Sequence, residues 1–259
     1  MELPGSFFVR DGDSFQATAL TRGPWNNDLQ HGGPPCALLA RAAERFGDDA
    51  DRFFLSRLTI DYLKPIPLAK LEVVAAPLKL GGKAQRLELK LLHQGAELLR
   101  GVALRLRRER GGEVSARPPA LAPPDGLPEF HIPFFQHEVG YHRGIEGRYL
   151  RGRWGEADVT VWARVRAPLV EGEAASGLQR AVILADAESG LCPPLDIKRF
   201  TFVNPDLNLH FDREPEGEWI ALDAVSTTSA LGVGLSQSVL HDRQGPFGRA
   251  SQALLVERR

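Results

Sequence analysis

The sequence predicts an α+β fold made of two copies of one unit, each a long helix wrapped by an antiparallel meander, with all strands forming one continuous sheet. Three observations lead to this prediction. The spacing of the chain repeats, since Pro67 lies 34 residues before Gly101 and Pro215 lies 33 residues before Gly248. Each half has one helical segment followed by four strand-like segments. The phosphate-binding patterns GxGxxG and GxxxxGK(S/T) do not occur, which excludes a parallel nucleotide-binding sheet.

The first copy is predicted from its turn residues and its hydrophobic period. Segment 34–46 is predicted to be helical, because prolines are tolerated in a first turn, alanine and leucine dominate, and Gly47 ends it. Apart from Arg41 its centre is apolar on all sides, which indicates a helix covered by a sheet. Strands are predicted, from turn signals and period-two alternation, at residues 7–9, 15–20, 53–62, 71–78, 84–92 and 98–106.

A proline-rich stretch at residues 117–124 separates the copies and favours a linker. The predicted organisation is a first unit over residues 1–112, a linker over 113–127 and a second unit over 128–259. The second copy repeats the order of the first, with a helix at residues 176–188. Its strands are predicted at residues 139–151, 158–166, 199–210, 219–227, 231–241 and 248–256.

Composition limits the kinds of partner. The 32 basic residues nearly balance the 33 acidic ones, which argues against a nucleic-acid surface and favours a small-molecule partner. The two cysteines, Cys36 and Cys192, have no disulfide or metal-ligand spacing, so no metal site is expected and a reducing cytoplasm fits best. We expect no targeting peptide and no membrane span. Exposed sheet edges leave a homo-oligomer open as an alternative to a single chain.

Several motifs in this order resemble one known family. They are His31-Gly32-Gly33 before the first helix, 185–190 on the second helix, 204–210, Glu218-Trp219 and 250–255. Together they resemble the double-hotdog acyl-CoA thioesterases of the thioesterase-like superfamily, similar to the acyl-CoA thioesterase II family. The resemblance implies a tandem double hotdog that hydrolyses thioesters, with coenzyme A as part of the substrate and no other cofactor.

The resemblance also implies a catalytic site. In that family a water is held by an Asp on the second helix, a hydroxyl residue on the next strand and a Gln on the last strand. By position these are Asp186, Asn204 and Gln252, so the hydroxyl is missing. Asp206, which is expected to share the strand face of Asn204, is a further catalytic candidate. Each also has a purely structural interpretation: a polar helix end for Asp186, a turn for Asn204 and Asp206, and a solvated strand residue for Gln252.

The residues themselves suggest how this chemistry is supported. Glycines at the start of a helix let an oxyanion approach free amides, so His31, Gly32 and Gly33 are predicted to bind the substrate, with a capping turn as the alternative. Trp25 is predicted to line the same groove. Cys36 is interpreted as core packing rather than as a nucleophile. The basic run at residues 105–110 is either a phosphate contact for coenzyme A or a solvated strand end.

Two functions therefore remain in view. The first is an acyl-CoA thioesterase that uses Asp186 and Gln252, assisted by Asn204. The second is a non-catalytic acyl or acyl-CoA binding module, in which the missing hydroxyl leaves the water unactivated. A hydratase is disfavoured because only His31 is placed for it.

Overall fold

A computed structural model provides the structure of the protein, and it describes residues 3–109, 111–131, 133–135 and 137–259. Within these residues 14 strands form one sheet. The prediction of an α+β fold with one continuous sheet is confirmed.

The first half contains helix α1 at Gly33–Glu44 and six strands. The strands are β1 (Phe8–Asp11), β2 (Ser14–Ala17), β3 (Phe53–Tyr62), β4 (Lys70–Leu80), β5 (Ala84–His93) and β6 (Ala96–Arg107). All six predicted strands of this half and its helix are present, with ends that differ by a few residues.

The second half contains helix α2 at Gly177–Ala185, the short helix α3 at Glu188–Leu191 and eight strands. The strands are β7 (Glu129–Phe130), β8 (Ile145–Arg151), β9 (Asp158–Val165), β10 (Phe200–Val203), β11 (Asp206–Phe211), β12 (Ile220–Thr228), β13 (Val233–Asp242) and β14 (Gly245–Arg258). A 3-10 turn at Tyr141–Arg143, between Gly140 and Gly144, replaces the first part of the strand predicted at 139–151.

The strand order shows the duplication directly. From one edge inward the order is β1-β2-β4-β5-β6-β3, and from the other side it is β8-β9-β12-β13-β14-β11, with β7 beyond β8. The halves join where β3 pairs with β11 in antiparallel register, Ile60 opposite Leu207. The two units therefore share one sheet and meet at β3 and β11.

Two predicted elements are interrupted, and both interruptions lie beside each other in space. The helix predicted at 176–188 breaks at Asp186, the C-cap of α2, before α3 starts at Glu188. The strand predicted at 199–210 breaks at Asn204-Pro205, because proline has no amide hydrogen for the ladder. The Pro205 carbonyl instead accepts the Tyr62 amide at 2.8 Å.

The two helices pack against each other on the concave side of the sheet. A side chain at Gly33 would collide with the Ile183 carbonyl, so the first turn of α1 approaches α2 as closely as only glycine permits. At the other end Glu44 accepts hydrogen bonds from Ser176 and Gln179, the cap and first turn of α2. The Arg41 guanidinium also donates two 2.8 Å hydrogen bonds to Glu173. The helices are thus held in register from end to end.

In the part of the chain that the structure describes, none of the helices combines the length and the apolar surface needed to cross a bilayer.

Replacing Gly33 tests this close approach. In Gly33→Ala, the helix propensity of alanine favours folding by about 1 kcal/mol, whereas the collision with the Ile183 backbone costs about 1–3 kcal/mol. We expect a lower free energy of unfolding in urea denaturation. The control is Gly82→Ala, where a new Cβ meets nothing within 4 Å. Equal stability of both variants would contradict the proposed packing.

Candidate active site

Asp186 is the centre of a hydrogen-bonded group at the seam between the halves. Its side chain is buried. Asp186 is the C-cap of α2 and lies outside β3 and β11, the two strands that form the seam. Three donors converge on its Oδ1 atom: the Tyr62 hydroxyl at 2.6 Å, the Asn204 amide at 3.0 Å and the Gln252 amide at 3.4 Å. The Gln252 amide also donates to the Asp186 carbonyl at 3.1 Å. Such donors stabilise an ionised carboxylate that burial would otherwise disfavour.

The other carboxylate oxygen faces the start of α1. Asp186 Oδ2 lies 3.1 Å from His31 Nδ1, and a Cβ at Gly32 would lie 2.8 Å from it. The Gly33 amide also donates to His31 Nδ1 at 3.1 Å. These contacts need opposite states of Nδ1, because an unprotonated nitrogen accepts from Gly33 and a protonated one donates to Asp186. The geometry therefore allows one proton to be shared between His31 and Asp186.

Burial keeps His31 neutral and in a fixed orientation. Its pKa is lowered by burial, an effect that the nearby Asp186 charge partly opposes. Its ring stacks on Tyr141 with the centroids 3.8 Å apart and the planes 3° apart. The Tyr141 hydroxyl donates to the Ile183 carbonyl at 2.9 Å, which ties the stack to α2. The imidazole thus cannot turn away from the carboxylate without breaking this packing.

A cavity of about 410 Å³ opens beside this group, between the two halves. Its polar lining includes His31, Gly32, Tyr62, Asp186 and Asn204. Its apolar lining comes from both halves and includes Trp25, Leu29, Ile66, Phe134, Phe135, Leu191, Ile197 and Phe202. A pocket of this size, apolar with a few converging polar groups, suits an acyl chain whose polar end reaches Asp186.

Tyr62 is a site residue that was not predicted from the sequence. It ends β3, and its hydroxyl lies 3.0 Å from Cys36 Sγ as well as 2.6 Å from Asp186. Burial raises the pKa of Tyr62 and of Cys36 well above their ordinary values, and the Asp186 charge adds to both shifts. Both groups therefore stay protonated, and since Tyr62 donates to Asp186, Cys36 donates to Tyr62. The signal in the sequence was a hydroxyl on the inward face of β3, in line with Leu58 and Ile60.

The structure brings most of the predicted residues together. Asn204 and Gln252 both donate to Asp186. The cavity is lined by Asp186, Asn204, His31, Gly32 and Trp25, whereas the fully buried Gln252 is not part of the lining. Gln252 lies between Ala250 and Leu254 on the buried face of β14, as the alternation predicted. Cys36 is fully buried in the core, as expected.

Two predictions are corrected. The Asp206 carboxylate does not line the cavity but accepts the Ala253 amide at 2.7 Å and the Asn208 side chain at 2.5 Å, because strand alternation turns it toward β14. The Gly33 amide is already bonded to His31, so its glycine serves helix packing rather than substrate binding.

The basic run at residues 105–110 had two interpretations, a phosphate contact and a solvated strand end, and its described residues do not line the cavity. Arg105 is 1% exposed and donates to the carbonyls of Ala43 and Phe46 at the end of α1. Arg108 pairs with Glu214 at 2.7 Å. Arg110 lies outside the described residues. The run is therefore no phosphate site for a ligand in this cavity.

A second buried acid lies two residues after Asp186 and faces away from the cavity. Glu188 accepts one hydrogen bond, from Ser238 at 2.5 Å, and its Oε1 atom has no partner among the described residues. Burial raises its pKa to about 8, and the charges of Asp186 and Asp206 act in the same direction. The carboxyl group of Glu188 thus receives one side-chain donor, whereas that of Asp186 receives three.

Among the described residues, no group of three or more His, Cys, Asp or Glu side chains is arranged to hold a metal ion.

Comparisons with known proteins agree with the architecture. The family model for the acyl-CoA thioesterase N-terminal domain matches residues 21–106, and the one for the acyl-CoA thioesterase C-terminal domain matches residues 116–256. None of the curated proteins matches the chain.

Solved structures show the same fold over nearly the whole chain. An acyl-CoA thioesterase II, TesB2, of Mycobacterium marinum has a TM-score of 0.70 at 16% identity, covering 96% of this chain and 93% of its own. A TesB protein of Mycobacterium avium subspecies paratuberculosis has a TM-score of 0.71 at 14% identity, with 96% and 95% covered. A conserved protein with a hot dog fold from Alicyclobacillus acidocaldarius has a TM-score of 0.73 at 18% identity, with 96% and 95% covered. The expected double-hotdog fold is confirmed.

The buried Glu188 predicts how stability depends on pH. Its pKa of about 8 lies above the ordinary value of 4.5, so the folded protein holds the proton more tightly than the unfolded chain does. The resulting stabilisation is complete below about pH 4.5 and is lost as the pH rises to about 8. Between pH 5 and pH 8 the free energy of unfolding should therefore fall less in Glu188→Gln than in wild type, and the difference should be on the order of a few kcal/mol.

Thermal or urea unfolding at several pH values measures this difference. The control is Glu156→Gln, an exposed acid, which should keep the wild-type pH dependence. A pH dependence in Glu188→Gln identical to that of wild type would rule out the assignment.

Proposed function

The chain belongs to the acyl-CoA thioesterase family, and on that premise we propose that it hydrolyses acyl-CoA thioesters through a water held by Asp186 and Gln252. The observation that carries the proposal is the Asp186 carboxylate, which is buried at the wall of an apolar cavity and oriented by donors from β3, from β14 and from the break between β10 and β11. A base held this firmly needs little reorganisation when a proton is transferred to it.

The two carboxylate oxygens of Asp186 have different roles in this proposal. Oδ1 receives the three donors, so Oδ2, beside His31 and Gly32, is the oxygen that takes a proton from water. Gln252 is fully buried against Asp186 and is not part of the cavity lining. Its Oε1 atom has no partner among the described residues, which leaves it able to accept the second hydrogen of a water bound to Asp186. In the proposed reaction this water attacks a thioester carbonyl carbon held in the cavity.

In the proposed reaction, Asp186 accepts a proton from the water and later returns it to the leaving group. The water oxygen bonds to the carbonyl carbon while its proton passes to Asp186, and the carbonyl oxygen becomes an oxyanion. When the oxyanion collapses, the carbon–sulfur bond breaks, and the departing sulfur takes the proton back from Asp186. The products are a carboxylic acid and the free thiol, and His31, which burial keeps neutral, stays 3.1 Å from Asp186 Oδ2.

The oxyanion is assigned to the start of α1. Gly32 lines the cavity at the cap of this helix, where backbone amides have no partner within the helix and the helix dipole favours negative charge. Its missing side chain lets the Tyr62 hydroxyl and the Asp186 carboxylate pack against it, since a Cβ there would collide with both. We therefore assign the Gly32 amide, and not that of Gly33, to the thioester carbonyl.

Tyr62 offers the hydroxyl that the second half lacks. Related thioesterases are expected to have a Ser or Thr where this chain has Asn204. Here a phenol from the first half donates to the same carboxylate at 2.6 Å. This contact favours an enzyme over the alternative of a non-catalytic acyl-CoA binding module, whose water would lack an oriented base.

Substitution of the base and of the amide tests the mechanism. Asp186→Asn should lower kcat by about 10²–10⁴-fold because the proton acceptor is lost, and Gln252→Ala should also lower kcat. The measurement is thiol release from a panel of acyl-CoAs of increasing chain length. The control is Asp206→Asn, which should keep kcat close to that of wild type because its carboxyl lies off the cavity. Wild type that binds acyl-CoA without turnover would instead identify a binding module.

Removal of the Tyr62 hydroxyl tests its contribution separately. Tyr62→Phe loses a hydrogen bond to a charged group, of about 1.5–3 kcal/mol, so kcat should fall at least tenfold while KM changes little. The control is Tyr149→Phe, whose hydroxyl accepts the Trp154 amide away from the cavity. A kcat equal to that of wild type would show that Tyr62 only fills space.

A further inference from the structure

Basic side chains gather at one end of the cavity. Lys198 and Arg199 precede β10, and Arg258 and Arg259 lie at the end of β14, the strand that pairs with β10. The Arg259 amide donates to the Arg199 carbonyl at 3.0 Å, so these two arginines lie opposite each other. With Lys64, which lines the cavity from the first half, we call these five residues the basic rim.

The rim lies beside the cavity wall. Lys64 is part of the lining, and so are Ile197 and Phe202, which precede and follow Arg199 in sequence. The Arg259 guanidinium lies 5.8 Å from the ring of Trp25, another lining residue, which is 56% exposed. The guanidinium groups of Arg199 and Arg258 lie 5.7 Å and 5.8 Å from the Phe200 ring, which is not part of the lining. The three arginines therefore lie next to the part of the wall that contains Trp25, Ile197 and Phe202.

The cations of the rim form no ion pair with the residues that the structure describes. All five side chains are exposed, and none forms an ion pair with a carboxylate of the described residues. Other arginines of the chain do have such partners, for example Arg164 with Glu146 and Arg213 with Asp242. Like charges opposite each other across a strand pair destabilise a sheet. In a chain of net charge −1, such a cluster is a ready site for an anion.

We propose that the basic rim binds the phosphates of coenzyme A, an inference that rests on the proposed thioesterase function. When the thioester lies at Asp186, the pantetheine arm must leave through the mouth, and the pyrophosphate and 3′-phosphate emerge there. Guanidinium groups bind phosphate oxygens in pairs, and lysine adds a point charge. The rim thus selects for the nucleotide end of the carrier, while the cavity accepts the acyl end.

The test compares two substrates that share an acyl group and a thioester. Acyl-CoA carries the phosphates, and the matching acyl-pantetheine lacks them. In the triple variant Arg199→Gln, Arg258→Gln, Arg259→Gln, we expect KM for acyl-CoA to rise about tenfold, with kcat unchanged and with KM for acyl-pantetheine unchanged. The dependence of kcat/KM on salt, seen with acyl-CoA and wild type, should also weaken in this variant.

The control removes the same charge elsewhere. In the triple variant Arg52→Gln, Arg86→Gln, Arg249→Gln, three exposed arginines that do not line the cavity are replaced, and KM for both substrates should stay at the wild-type value. An equal rise in KM for acyl-pantetheine in the rim variant would overturn the proposal, because it would show a loss of structure. An unchanged KM for acyl-CoA would overturn it as well. An acyl carrier protein thioester serves as a third substrate. A rise in KM of the rim variant for this substrate alone would assign the rim to an acidic protein instead.

A binding measurement separates this proposal from the proposed reaction. If wild type hydrolyses neither substrate, the thioesterase function fails, and calorimetry with coenzyme A and with adenosine 3′,5′-bisphosphate still tests the rim. Binding of both by wild type and by the control variant, weakened about tenfold in the rim variant, would support the phosphate site. Binding of equal strength by all three proteins would overturn it.

Discussion

The close packing of α1 on α2 is the constraint on which the site depends. Because Gly33 lies against the Ile183 backbone, the start of α1 meets the end of α2. The pairing of β3 with β11 then brings Tyr62 and Asn204 to the same point from either side of the seam. Neither half alone has all the groups that surround Asp186, so the site exists only where the duplicated units join.

This packing also answers an electrostatic difficulty. A carboxylate at the C-terminal end of a helix is disfavoured by the helix dipole, and burial disfavours its charge further. At Asp186 the N-terminal end of α1 and three side-chain donors oppose both effects. Glu188, two residues later, has one serine donor, and its pKa of about 8 reflects its burial. Two acids that lie close in sequence thus have different hydrogen-bond surroundings.

The substrate envisaged for this site has two chemically different ends, and the surface matches that division. The cavity is mainly apolar and takes its lining from both halves, whereas the cations of the basic rim have no carboxylate partner among the residues that the structure describes. Asp186, which we propose as the base, is buried in the wall of the cavity, where desolvation strengthens its hydrogen bonds. Acyl recognition, chemistry and carrier recognition would then depend on different side chains.

The sequence by itself determined the repeat, the order of helices and strands and the inward face of β14 that holds Gln252, because turns and hydrophobic period are local properties. Only the tertiary structure decided which polar residues meet. The breaks at Asp186 and at Pro205 turn Asn204 toward the carboxylate and leave Asp206 facing β14. Tyr62 reaches Asp186 across 124 residues of chain, a contact created by packing between the halves, and no local pattern records such a contact.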